Sequence, residues 1–393
     1  MKRLICGICM SLLAVACSTE ESIDSLADRV FAVASEQVKL MDSLLEENEC
    51  PRSVNQDGSL MTSSIWWWCS GFYPGSAWLA YEYTSDETLK DIACRHTVKL
   101  DSIRFRTNDH DVGFQLNCSY GNAYRLTGDE RFKEVLRDGA HSFATRFNPV
   151  IGCTRSWDYD GRPWDFPVII DNMMNLELLL KVGQMYDEPH LCEIAGIHAD
   201  VTMLNHFRED GSSWHLVDYN PETGTVNKKQ TVQGYSDDSS WSRGQAWGLY
   251  GFTMMYQYTS EERYLAHALK VADYLLPRLP EDGVPYWDYD DPDIPDALRD
   301  ASAASIMSSA LLSLSCFADE ERAEKYVEAA ETIVRTLASS VYLAEPGSNC
   351  GFILKHGVGF LKASSEVDVP LTYSDYYFLE SVLKLKFLYS RTK

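Results

Sequence analysis

The chain has 393 residues, 45% hydrophobic and 12% aromatic, enough apolar material for one large core and too much for a disordered segment. Its formal charge of −23 excludes nucleic acid and an anionic membrane surface as natural partners. An anionic small substrate would need an isolated cationic group inside that repelling field.

The first sixteen residues read as an export signal: Lys2 and Arg3, an apolar run from Leu4 to Val15, and small Ala16 before Cys17. Ala14-Val15-Ala16-Cys17 resembles a bacterial lipoprotein box. The expectation is loss of residues 1–16, lipidation of Cys17, and residence in the periplasm or outer membrane of a Gram-negative bacterium, with the lipid as the membrane contact. Ordinary cleavage nearby is the alternative. No later run is long and apolar enough to span a bilayer. Outside the leader the cysteines are Cys50, Cys69, Cys94, Cys118, Cys153, Cys192, Cys316 and Cys350, with no CxxC pair and no histidine at ligand spacing, which argues against a zinc site. Cys118, Cys192 and Cys316 fall in helical apolar patterns and read as small buried residues. Export permits disulfides without demanding them.

From residue 22 to the C-terminus, helix follows helix and one junction recurs. An apolar run ends, a short acidic turn follows, and an amphipathic helix begins: Thr84-Ser85-Asp86-Glu87, Thr127-Gly128-Asp129-Glu130, Tyr186-Asp187-Glu188-Pro189, Thr259-Ser260-Glu261-Glu262 and Ala318-Asp319-Glu320-Glu321. Ser, Thr and Asp in these turns suit helix caps, and Glu suits the positive end of the next dipole. The runs before the turns, roughly 73–83, 111–126, 170–186, 243–258 and 301–317, carry few charges and predict inner helices. The runs after them, roughly 86–104, 129–147, 189–206, 261–277 and 320–340, carry charge on one face and predict outer ones. Residues 374–390 supply a sixth inner run and 22–47 its outer partner. The expected architecture over 22–393 is a single all-α domain, an (α/α)6 barrel of six inner and six outer helices. Unequal return loops argue against an open solenoid.

Those return loops gather beside the N-termini of the inner helices, and the unusual residues collect there. Trp66-Trp67-Trp68 precede the first, His110-Asp111 open the second, Asp171 the third, Arg243 the fourth, Arg299-Asp300 the fifth and Asp375 the sixth. One Asp at a helix start is usually a cap; two flanked by apolar residues on one rim suggest an acid kept protonated near neutral pH. Trp68 and Trp247 read either as core or as platforms for a sugar face. A guanidinium entering a buried helix at Arg243 needs an anion, either Asp237 or Asp238 or a ligand carboxylate. His215 by itself reads as a surface-loop residue.

HDVGF at 110–114, IIDNMMN at 169–175, QGYSDDSSWSRGQAWG from Gln233 to Gly248 and EVDVPLTYSDYYFLE from Glu366 to Glu380 together resemble the unsaturated glucuronyl hydrolases, glycoside hydrolase family 88. The resemblance implies the same barrel, and oligosaccharide substrates carrying a 4,5-unsaturated uronic acid at the non-reducing end. It makes Asp171 the general acid and base and Asp111 its companion, with Gln233, Arg243, Trp247, His215 and Trp68 contacting substrate. The triple Trp before Cys69 departs from the family's usual single Trp followed by Thr.

The implied reaction protonates C4 of the enol ether, adds water at the cationic C5, and lets the hemiketal open to release the neighbouring sugar. Asp171 donates the proton and then activates the water; an ionised Asp111 would raise its pKa. The reaction needs no metal or organic cofactor. The alternatives are an unsaturated rhamnogalacturonyl hydrolase acting on pectin fragments and a non-catalytic glycan-binding lipoprotein.

Overall fold

The computed structural model describes residues 21–158 and 161–391. The expected leader and Cys17 lie outside them. Helix α1 (Ile23–Leu44) comes first, and helix pairs follow: α2 (Phe72–Thr84) with α3 (Glu87–Val98), α4 (Val112–Leu116) and α5 (Asn122–Thr127) with α6 (Glu130–Ala144), and α7 (Asn172–Met185) with α8 (Pro189–Asn205). Next are α9 (Ser242–Thr259) with α10 (Glu262–Leu275) and α11 (Ala301–Ser315) with α12 (Glu320–Leu337), and α13 (Thr372–Arg391) packs back against α1. A π-turn at Asn117–Gly121 joins α4 to α5, so the expected second inner helix is continuous but locally widened.

Composition sorts the helices as expected. In α11 every residue except Ser313 is buried, because Ala, Ser, Ile, Met and Leu leave no charge to solvate. In α12 only Tyr326, Ala330, Ile333, Val334 and Leu337 are buried, spaced along one face. The covered helices pack each on the next, α2 on the π-turn, α4 on α7, α7 on α9, α9 on α11 and α11 on α13, and α13 returns to α2. One contiguous apolar core runs through them, with a small satellite around Cys153, Phe166 and Tyr219.

The recurrent turn has a physical basis. Thr84, Thr127 and Thr259 each donate a hydroxyl to the carbonyl four residues back and accept the N–H two residues on. The residue between adopts a left-handed conformation, Ser85 at φ 57°, Gly128 at 68° and Ser260 at 56°. Asp86, Asp129 and Asp319 then cap the following helices; Glu188 and Glu261, in the same position, do not.

The loops entering the covered helices carry short antiparallel ribbons that periodicity did not reveal, because two to five residues are too few to show alternation. They are β1 (Cys50–Val54) with β2 (Leu60–Ser63), β3 (Phe147–Asn148) with β4 (Cys153–Thr154), β5 (Pro167–Ile169) with β6 (Leu216–Tyr219) and β7 (Val226–Gln230), and β8 (Gly357–Phe360) with β9 (Ser365–Val369). All eight described cysteines are free. Cys118 is buried as expected, but Cys192 is half-buried and Cys316 exposed, because Cys316 sits at the C-cap of α11 where the helix leaves the core.

Candidate active site

Asp171 sits where β5 runs into α7. Its side chain makes no capping hydrogen bond, so the bland reading of an Asp at a helix start fails here. One carboxyl oxygen is buried without any hydrogen-bond partner, and burial raises the group to a pKa of about 7 against the opposing pull of Arg243. Two N–H groups face it. Trp247, fully buried between Phe114 and Tyr377 at ring distances of 5.1 and 5.4 Å, turns its otherwise unpartnered indole nitrogen toward the carboxyl. His215 Nε2 lies 3.7 Å from Oδ2.

His215 reaches this position because β6 pairs with β5, Ile169 opposite Leu216, and the Ile170 N–H donates to the His215 carbonyl at 2.9 Å. Its Nδ1 accepts the backbone N–H groups of Val232 and Gln233 at 3.0 and 3.2 Å, which leaves the ring proton on Nε2, toward Asp171. Burial drives its pKa down to about 3, so it supplies a polar N–H and no charge. The surface-loop reading of His215 fails.

Asp111 starts α4 and also caps nothing. Its pKa is raised well above the carboxylate range, by burial first and then by the charge of Asp109, with Asp171 contributing. This corrects the expectation that an ionised Asp111 raises Asp171: burial raises both. His110 Nε2 is 3.5 Å from Asp111 Oδ1, and burial keeps that imidazole neutral as well. Each acid therefore has a neutral histidine beside it, which cannot balance a negative charge.

The two acids meet because α4 and α7 touch at their first turns. A Cβ on Gly113 would stand 2.5 Å from the Asn175 Cα, so only glycine permits the approach, and the Phe114 N–H donates to Asn175 Oδ1 at 2.7 Å. Gln115, one turn along, holds the tryptophan loop through Nε2 to the carbonyls of Ile65 and Trp67 and the hydroxyl of Ser70. Trp68 is consequently drawn inward, half-buried against Phe114 at 5.7 Å and Tyr373 at 4.8 Å, while Trp66 and Trp67 stay exposed. Arg106 ties this together: it donates to Gln115 Oε1 at 3.0 Å and to Asp109 Oδ2 at 2.8 Å, and Asp109 Oδ1 accepts the Asp111 N–H at 3.0 Å. Arg106, Asp109 and Gln115 were not singled out as site residues; the position of Asp109 and Gln115 on either side of the HDVGF run is the signal that would have found those two.

Arg243 differs from expectation. Its anion is Asp300, at 3.0 Å, not Asp237 or Asp238, which lie exposed. Its two terminal nitrogens also donate to the carbonyls of Val358 and Gly359, both at 2.5 Å, so the protein itself supplies the anion and acceptors that a buried guanidinium needs. Gln233 Nε2 joins it on the Gly359 carbonyl at 3.1 Å. Asp300 caps α11, and Asp375 accepts the N–H groups of Ile353 and Leu354, so both rim acids are structural.

A pair of buried acids, both with raised pKa values and backed by tryptophans, calls for comparison with carbohydrate enzymes. The family model described as Glycosyl Hydrolase Family 88 matches residues 42–340. The chain belongs to glycosyl hydrolase family 88. The unsaturated glucuronyl hydrolase of Formosa agariphila is 42% identical to this family 88 chain over 318 residues, 80% of this chain and 79% of the relative. A crystal structure of an unsaturated glucuronyl hydrolase specific for heparin superposes with a TM-score of 0.91 at 42% identity, over 93% of this chain and 98% of that one. A mutant of the Streptococcus agalactiae unsaturated glucuronyl hydrolase, complexed with dGlcA-GalNAc6S, superposes at 0.78 with 28% identity and 92% coverage of each chain.

Proposed function

We propose that this protein is an unsaturated glucuronyl hydrolase that removes the 4,5-unsaturated uronic acid from the non-reducing end of polysaccharide-lyase products such as glycosaminoglycan disaccharides. The observation that carries the reading is Asp171, an uncapped, unpaired carboxyl with a pKa of about 7. At neutral pH it is available in both the forms that an acid and then a base require.

The chemistry follows from the geometry. Protonated Asp171 delivers its proton to C4, and the positive charge that develops at C5 and the ring oxygen is stabilised by the carboxylate left behind. That carboxylate then takes a proton from the water that adds at C5, and the hemiketal opens with release of the neighbouring sugar. The N–H groups of His215 and Trp247 steady the carboxylate during the middle of this cycle. Asp111, its pKa raised by burial, stands beside Asp171 as its companion facing the sugar. Trp68 is the stacking platform, and Arg243 and Gln233 hold the β8 edge of the site by the Gly359 carbonyl. Because the nucleophile is water at C5 and not at the anomeric carbon, the carboxylate spacing that separates retaining from inverting glycosidases has no bearing.

The paired helices, α4 and α5 counting as one through the π-turn, with α13 closing onto α2, support reading residues 22–393 as one (α/α)6 barrel. Export and lipidation at Cys17 rest on the leader's pattern, and labelling with a radioactive fatty acid, lost in Cys17→Ser, tests them. Mixing the enzyme with unsaturated disaccharides from hyaluronan, chondroitin, heparin and pectin, and following the ultraviolet absorbance of the conjugated double bond, tests the activity. Loss of absorbance with a glycosaminoglycan member is the expected result; loss with the pectin member alone, or with none, overturns it.

A further inference from the structure

Away from the acid pair, one cluster on the outer helices has the donor set of a metal site. His141 lies in the last turn of α6, Glu188 is the N-cap residue of α8, and His190 stands in the first turn of α8 after Pro189. One ligand atom from each falls within 4.8 Å of the others. His141 Nε2 is 2.8 Å from Glu188 Oε2, and the two imidazole rings face one another at 5.9 Å and 30°.

The two oxygens of Glu188 are used differently. Oε1 accepts both Nε and an Nη of Arg137, at 2.7 and 2.6 Å, and this fork fixes the carboxylate in one orientation. Oε2 is shielded from solvent and has no hydrogen bond of acceptable geometry, though its carboxylate is only 12% exposed. A shielded acceptor held in place by an arginine and flanked by two imidazoles is what a metal-ligating carboxylate with its supporting partner looks like. A surface ion pair alone would not bring the second histidine in.

We propose that His141, Glu188 and His190 bind a borderline divalent transition ion of the zinc class. Two imidazole nitrogens and one carboxylate oxygen suit Zn2+, with water completing a tetrahedron, whereas Ca2+ and Mg2+ require mostly oxygen ligands. Tetrahedral bonds of about 2.0–2.2 Å place ligand atoms roughly 3.4 Å apart, between the 2.8 Å of the His141–Glu188 pair and the 4.8 Å that bounds the cluster. Both rings are exposed and free to turn. The ion would join the C-terminal half of α6 to the first turn of α8. The chain's charge of −23 favours a cation at the surface. This site stands apart from the acid pair and does not depend on the activity proposed above.

Full-length protein stripped with chelator and titrated with zinc chloride at mildly alkaline pH gives the test. One equivalent should bind, and saturating zinc should raise Tm by about 3 °C, with no shift from calcium chloride. His190→Ala and His141→Ala, both surface changes, should each weaken binding at least tenfold and abolish the Tm rise while turnover stays at the wild-type rate. Failure of the wild-type protein to bind zinc overturns the proposal, as does zinc binding that survives in both variants or a calcium shift as large as that from zinc.

Discussion

The two ends of the covered helices each hold a carboxylate largely withdrawn from water, and they are opposite in character. At the rim, Asp171 has neutral N–H groups facing it and no cation paired with it, Arg243 acting only through its charge, and burial lifts it to a pKa of about 7. At the far end, Glu380 lies on the wall of a cavity of about 650 Å3 and burial also pushes it up, yet Lys384, Ser309 and Tyr250 outweigh that and hold it below its ordinary value. Lys384 Nζ is 3.0 Å from the Glu380 carboxylate and the Tyr250 hydroxyl 3.1 Å. Burial sets the scale of a shift, but the presence of a dedicated cation decides its sign. The rim has left its acid without one, at a cost in stability, and that is where the chemistry is placed.

The comparison can be broken at either end. Asp171→Asn should lower kcat roughly 1000-fold with little change in KM, since an amide keeps the shape and loses the proton; steady-state kinetics on an unsaturated disaccharide decides it. The same substitution should stabilise the protein at pH 8. Between about pH 4 and 7 native Asp171 keeps a proton that the unfolded chain releases, so stability falls as pH rises through that window, and by pH 8 the buried charge costs about 2–4 kcal/mol. Denaturant unfolding of the two proteins at pH 4.5 and 8 should show the difference growing with pH. Lys384→Met, at the far end, should cost about 1 kcal/mol, because the pair is partly solvated and Glu380 keeps Tyr250 and Ser309, with kcat unchanged; denaturant unfolding measures it. The wild-type kcat should decline above a pKa near 7, and a rate flat from pH 4 to 9 would contradict a titrating acid. Trp247→Phe, the mildest change, removes one N–H from the Asp171 carboxylate and should move that alkaline limb up by about half a unit.

Much of this was legible in the sequence, for identifiable reasons. Long apolar runs divided by short acidic turns placed most helices to within a few residues, because capping and burial act locally. Asp111 and Asp171 could be named because an acid inside an apolar run is rare. The partners of Arg243 could not be read that way: Asp300 and the Gly359 carbonyl come from two other segments, before α11 and in β8, and the nearby Asp237 and Asp238 were the natural but mistaken choices. His215 depends on the β5–β6 pairing, too short to leave a period in the sequence. The origin of the shift at Asp171 needed three dimensions too, since sequence proximity suggests a charged neighbour while the fold supplies desolvation.

The central claim is that Asp171 carries a proton at neutrality because nothing charged is paired with it. Carbon-13 carboxyl NMR of aspartate-labelled enzyme, with the Asp171→Asn variant used to assign the resonance, measures this directly. A midpoint near pH 7 is the predicted result. A midpoint near the ordinary aspartate value of about 4 would contradict the account.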